Sequence, residues 1–156
     1  MVDRTSKGFV LHLDREEVDV LSRLLGELTS LLGSDDPDLQ PLLRRLFPPA
    51  YHLADHAEQE AEYQRFMRDE LLTSRRDGIE HVVTVLESGA PLDDIGLERF
   101  MQALNSVRLV LGTLLDVDEG HDPSSVPADH PMVSEHHLYA YTSWLLECSV
   151  QAASGT

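Results

Sequence analysis

Apolar residues recur along the chain at helical spacing in several stretches and at strand spacing in one. Phe9, Leu11 and Leu13 alternate with Val10 and His12 after the turn-prone Ser6–Gly8, which predicts a short strand over about 8–13. Such a strand must pair with a neighbouring extended segment or with the same strand of a second chain. Asp14 then stands at an N-cap with Glu17 in the capping-box position, and Leu21, Leu24, Leu25, Leu28 and Leu32 form one apolar stripe until Gly33. Ser34–Asp38 reads as a turn and second N-cap, and Leu39–Phe47 as a short helix that tolerates Pro41 in its first turn and stops at Pro48-Pro49.

The longest helical pattern runs from about Asp55 to Leu86, with a break expected near Asp77-Gly78. Tyr63, Phe66, Met67 and Leu71 are the expected inward face of its first half, and Ile79, Val82, Val83 and Leu86 that of its second. After a loop at Ser88–Pro91, Asp93 or Asp94 caps a further helix that reaches Val117. Residues of about 117–134 are polar, with Pro123, Pro127 and Pro131 spaced through them, and read as a mobile acidic loop. A last helix follows from Glu135 to about Ala152, aromatic on one side, with that side expected in the core. With no internal repeat and no sustained heptads, the pattern implies a mainly α protein: one domain over 1–156, an irregular bundle of about five helices with a short N-terminal β-strand.

Ala103–Val117, ALNSVRLVLGTLLDV, carries a polar line that solubility does not require. Phe100, Ala103, Val107, Val110, Leu111 and Leu114 share one face, while Asn105, Arg108, Gly112 and Asp116 line up elsewhere. A covering helix would fill its outer face with interchangeable Lys and Glu. Gly112 alone costs about 1 kcal/mol relative to Ala in a helix interior, so a close neighbour is expected there. Asn105, Arg108 and Asp116 are read as an ordered polar set, with Arg108 paired to a carboxylate such as Glu147 on the last helix. A buried, hydrogen-bonded Arg often fixes helix register and does nothing else.

This segment resembles the signature ALNxxRLxLGTxLDV of an actinobacterial family, numbered twenty-seventeen among domains of unknown function. In that family an acidic loop and a Tyr- and Trp-rich last helix follow, matched here by Tyr139, Tyr141, Trp144, Leu145 and Glu147. The resemblance extends in element order to most of the chain, including the acidic-then-basic helix around Glu62–Arg76, and is sharp in these two blocks. It implies a small cytoplasmic helical protein. Members are often encoded near the Clp protease adaptor ClpS and sulfur-carrier genes, and some are labelled transcriptional regulators. The resemblance supplies no catalytic residues.

Charge narrows the choice of partner. The 156 residues hold 12 basic and 28 acidic side chains, a formal net charge of −16. Such a field repels phosphate backbones and anionic headgroups and favours cationic partners, metal ions and basic protein patches. The single cysteine, Cys148, rules out an intrachain disulfide within these residues and fits a reducing cytoplasm. No apolar run is long enough for a signal peptide or a membrane span, so the protein is expected to be soluble and unexported.

Candidate chemistry is sparse. His52 and His56 stand one helical turn apart with Glu60 a turn later, a geometry able to hold Zn²⁺ or Ni²⁺. Leu53 occupies the place where a zincin needs its glutamate, so a metalloprotease is disfavoured. The acidic run Asp116, Asp118, Glu119, His121 and Asp122 has Gly120 at the wrong position for an EF-hand and lacks the closing glutamate. Neither cluster is a complete ligand set, so no resident metal or cofactor is expected. Arg65, Arg68, Arg75 and Arg76 concentrate positive charge on one broad side of the long helix, a candidate docking surface. Glu62 and Asp69 are spaced to neutralise part of it. There is no Gly-rich phosphate loop and no nucleophile elbow.

The reading that follows is a non-enzymatic, cytoplasmic regulatory protein that acts by binding another protein, with a homodimer compatible with the pattern. Two alternatives remain: a transcriptional regulator touching DNA through Arg65–Arg76, and a metal-binding protein or metal-dependent enzyme built on His52, His56 and Glu60.

Overall fold

In the structure, a computed structural model, residues 1–34, 36–39, 41, 43, 46, 57–115, 129 and 131–155 are described, with the side chains of all of these except 57–61, 64 and 68. Two strands, β1 (Val2–Thr5) and β2 (Gly8–Leu11), precede α1 (Arg15–Leu32), a 3-10 turn (Pro37–Leu39), α2 (Ala57–Ser88), α3 (Asp94–Leu115) and α4 (Val133–Ser154). The protein is thus mainly α, a helical bundle behind a short N-terminal antiparallel hairpin. Of the short helix expected over 39–47, Pro41, Leu43 and Leu46 are described; all three are helical, and Leu43 and Leu46 are buried.

The single strand expected over about 8–13 is the second half of a hairpin. β1 pairs antiparallel with β2, Asp3 opposite Val10 and Thr5 opposite Gly8. Thr5 and Gly8 flank a two-residue turn in which the Thr5 hydroxyl donates to the Gly8 carbonyl at 2.7 Å. Charged Asp3 and Arg4 hide β1 from a hydrophobicity scan. On its other side β2 is held by Leu92 of the α2–α3 connection: the Phe9 amide donates to the Leu92 carbonyl at 2.7 Å, and the Leu92 amide returns to Phe9 at 2.8 Å. Gly8 makes this approach feasible. Its φ is +122°, and a Cβ there would stand 2.5 Å from the Leu92 carbonyl oxygen.

Asp14 caps α1 as its type predicts, accepting from the Glu17 amide at 2.8 Å. Between the two candidates for the α3 cap, Asp93 takes the role through the Gly96 amide at 2.7 Å. The leucine stripe of α1 is buried throughout. α3 is the central helix, packed most extensively on α4 and also on α2, α1 and β2. Leu97, Phe100, Ala103, Leu104, Val107 and Leu111 carry its buried face.

Three expectations are corrected here. First, α2 runs through Asp77-Gly78 without a break. Gly78 is buried, and the space of its missing side chain is bordered by Arg99 of α3, whose Cγ lies 3.9 Å from where a Cβ would be. The helix continues through Gly78 with α3 in ordinary contact beside it. Second, among the described residues the apolar face of α2 is covered only in its second half. Ile79, Val82 and Leu86 are buried, whereas Tyr63, Phe66, Met67 and Leu71 are exposed.

Third, the aromatic side of α4 enters the core only in part, since Tyr139 and Tyr141 pack against its margin and Trp144 does not. Trp144 is 49% exposed, Tyr139 and Tyr141 are half-buried, and the buried line is His136, Thr142, Leu145, Ser149 and Ala152. Thr142 and Ser149 satisfy their hydroxyls on carbonyls one turn back, at Leu138 and Leu145. They therefore bury no unpaired donor, and their small size lets the helix lie close to α3. The acidic segment of about 117–134 falls largely outside the described residues.

Candidate protein-binding surface

Asn105 and Arg108 of α3 do come together. The Arg108 Nη2 donates to Asn105 Oδ1 at 2.9 Å, one turn earlier on the same helix, and both side chains are half-buried. The Arg108 Nε is shut off from solvent and has no hydrogen-bond partner among the described residues. Glu147, expected as the carboxylate partner, is exposed on α4, and no ion pair joins it to Arg108 among the described residues. Asp116 lies outside the described residues. Gly112 is half-buried within α3.

The four arginines of α2 do not share one environment. Arg65 and Arg76 are exposed, and the Arg76 guanidinium lies over Gly33 at the end of α1. Arg75 is half-buried and lines a tight cavity with Leu32, Leu46, Ile79, Ala103 and Ser106. Burial pulls its guanidinium below the usual range, although an arginine remains charged at neutral pH. The side chain of Arg68 is not among those described. His52 and His56 also fall outside the described residues, as does the side chain of Glu60. Among the described residues no group of three or more His, Cys, Asp or Glu side chains is placed to hold a metal ion. Likewise, no described helix is long and apolar enough to cross a membrane.

The surface that sequence periodicity assigned to the core is the more informative one. Tyr63, Phe66, Met67 and Leu71 follow each other along the first half of α2 at three- and four-residue spacing, with Phe66 60% exposed and Tyr63 56% exposed. Their row adjoins an open cleft of about 530 Å³ between α2 and α3, where Phe66 stands beside Asp69, Glu70, Asp77, Arg99 and Gln102. A second, apolar cleft of about 230 Å³ lies between α1 and α3, walled by Leu24, Leu28, Leu31, Val107 and Leu114. Contiguous exposed apolar side chains rimmed by charge mark interaction surfaces in soluble proteins. Nothing in the local sequence separates this half of α2 from the covered half, since both have a helical apolar stripe.

The chain belongs to the DUF2017 family, a domain of unknown function, which it matches over residues 1–153. It is 25% identical over 174 aligned positions to the putative oxidative stress regulator AosR of Mycobacterium leprae, covering 90% of this chain and 80% of that protein. The oxidative stress regulators AosR of Mycobacterium tuberculosis and Mycobacterium bovis are each 24% identical to it over 159 positions, covering 92% of this chain and 72% of theirs. No solved structure shows significant similarity to this chain.

Proposed function

We propose that this DUF2017 member is a regulator that works through contact with another protein, without catalysing a reaction and without gripping DNA itself. The observation that carries the reading is the exposed row Tyr63, Phe66, Met67 and Leu71 on α2. Its spacing suits the apolar face of a partner helix laid along α2. The net charge of −16 and the neighbouring Asp69, Glu70 and Asp77 favour a partner helix with basic flanks. The names of the mycobacterial relatives support the regulatory role and extend it to oxidative stress. In this reading Asn105 and Arg108 hold α3 in shape, Arg65 and Arg76 border the docking row, and the chain is one cytoplasmic domain.

The test pairs two measurements on the full chain. Phe66→Asp with Met67→Asp is expected to leave thermal stability unchanged and to abolish stoichiometric copurification of the partner helix-bearing protein from the native host. Retention of the partner by this variant overturns the reading. Titration of duplex DNA at low salt, where phosphate attraction is strongest, is expected to show no submicromolar binding. Submicromolar, salt-sensitive binding lost on changing Arg65, Arg68 and Arg76 to Ala replaces the reading with a DNA-binding one.

A further inference from the structure

The hairpin has one edge that the fold uses and one that no described residue covers. Both backbone groups of Phe9 turn to Leu92, so the pair Arg4–Phe9 in the β1–β2 register is a non-bonded one. Alternation assigns the inter-strand bonds to Asp3–Val10 and Thr5–Gly8, and the His12 amide continues the series by donating to the Met1 carbonyl at 2.9 Å. The N–H and C=O groups of Val2 and Arg4 therefore point away from β2. Among the described residues no backbone group outside the hairpin takes them.

These groups border a groove of about 340 Å³. One wall is Val2, Asp3 and Arg4; the other is Cys148, Gln151 and Ala152 near the end of α4. A strand edge facing a helix across a groove is the geometry in which an extended segment adds to a sheet, its backbone bonding to the edge and alternate side chains entering the groove. Most proteins cover or blunt such an edge.

Charge selects the occupant. A second copy of β1 pairing both outward residues reciprocally would set Val2 against Arg4 twice and place the two Asp3 side chains directly opposite, in the close non-bonded position. Like charges there are destabilising, and two chains of −16 also repel at long range. A Lys or Arg opposite Asp3 meets the reverse situation. Asp3 lies on the strand face opposite buried Val2, about half exposed, with only Oδ2 engaged by His12 at 2.7 Å. Residues flanking that Lys or Arg would point to the other face, where Val2, Cys148 and Ala152 suit an apolar side chain and the exposed Arg4 and Gln151 form its rim.

We propose that the open edge of β1, faced by the last turns of α4, accepts an extended segment of another protein in which a Lys or Arg alternates with apolar residues. The proposal shares with the functional reading only that the chain works through protein contacts, and it uses none of the α2 residues. The probe is the peptide acetyl-Val-Arg-Val-Arg-Val-amide, titrated into the isotope-labelled full chain, with Glu in place of both Arg as its counterpart. The expected result is perturbation and slowed hydrogen exchange of the Val2 and Arg4 amides by the Arg peptide, with the Glu peptide weaker by up to about fivefold per pair. Asp3→Lys reverses that preference, and Gln151→Trp, at an exposed position, weakens both peptides. Absence of any effect on Val2 and Arg4 at saturating peptide, or equal binding of the two peptides, overturns the proposal. So does a dimeric free chain whose Val2 and Arg4 amides are already protected, which would place a second copy in the edge. Any of these results leaves the outcome of the Phe66→Asp, Met67→Asp experiment untouched.

Discussion

The hydroxyl of Tyr141 on α4 donates a 2.7 Å hydrogen bond to Oε2 of Glu17 on α1, joining the first helix to the last across 124 residues of chain. Glu17 supplies its amide to the Asp14 cap and its carboxylate to this bond, a use that the capping-box spacing does not reveal. Burial, the bond itself and the charges of Glu17 and Asp14 hold the phenol well above its usual value near 10. Tyr141→Phe is expected to lower stability by about 1.5 kcal/mol, the low end of the range for a bond to a charged acceptor, because the bond is only half-buried. Because the folded-state pKa is raised, the contribution is whole below pH 10 and declines as pH rises beyond it. Urea unfolding of parent and variant from pH 7 upward should show midpoints that converge above pH 10.

Gly8→Ala should damage the junction of the hairpin with the bundle. The left-handed φ of +122° and the 2.5 Å approach of a Cβ to the Leu92 carbonyl leave no unstrained arrangement. A loss of about 1–3 kcal/mol is expected, together with faster hydrogen exchange at the Phe9 and Leu92 amides. Unchanged exchange at those two amides would show that the Phe9–Leu92 bridge does not depend on Gly8.

Arg108 bonds a neutral amide on its own helix, and its buried Nε has no partner among the described residues. The loss on Arg108→Ala is therefore expected near 1 kcal/mol, well short of the roughly 3–5 kcal/mol for breaking a buried ion pair. Arg108→Met, which keeps the aliphatic bulk and removes the buried donor, should be neutral or slightly stabilising. Thermal denaturation of both variants beside Arg99→Ala measures this; a large loss in Arg108→Met would reveal a carboxylate partner.

Two phenylalanines of similar periodicity should respond in opposite ways. Phe100 of α3 is 1% exposed and Phe66 of α2 is 60% exposed. Phe100→Ala is expected to cost about 3–5 kcal/mol through the cavity it leaves, while Phe66→Ala stays within about 0.5 kcal/mol. Equal losses in chemical denaturation would mean that the first half of α2 is covered.

Cys148 is half-buried and packs against the core. As the single cysteine of the 156 residues it has no intrachain partner, so peroxide treatment should leave the monomer without an intrachain disulfide. Intact mass measured with and without alkylation of the free thiol tests this.

Much of the candidate site was only half legible. Asn105 and Arg108 stand out in sequence because a polar pair one turn apart on an apolar helix is unusual, and they do bond to each other. Their relation to Glu147 depends on how α4 lies against α3, which neither helix encodes alone. The α2 row was visible as a stripe and assigned to the wrong side, because periodicity identifies an apolar face without saying whether another element reaches it.

Helix positions followed from the chain itself: the α1 stripe, the Asp14 and Asp93 caps and the apolar face of α3 are local properties, set by side-chain spacing and by hydrogen bonds within a few residues. Only tertiary structure decided which faces were covered. Small Thr142 and Ser149 went inside and Trp144 outside because the α3–α4 contact rewards close approach, and the strand found its partner in Val2–Thr5, whose charged residues conceal it. Burial depends on the shape of the neighbour, and a neighbour distant in sequence leaves no mark on local periodicity.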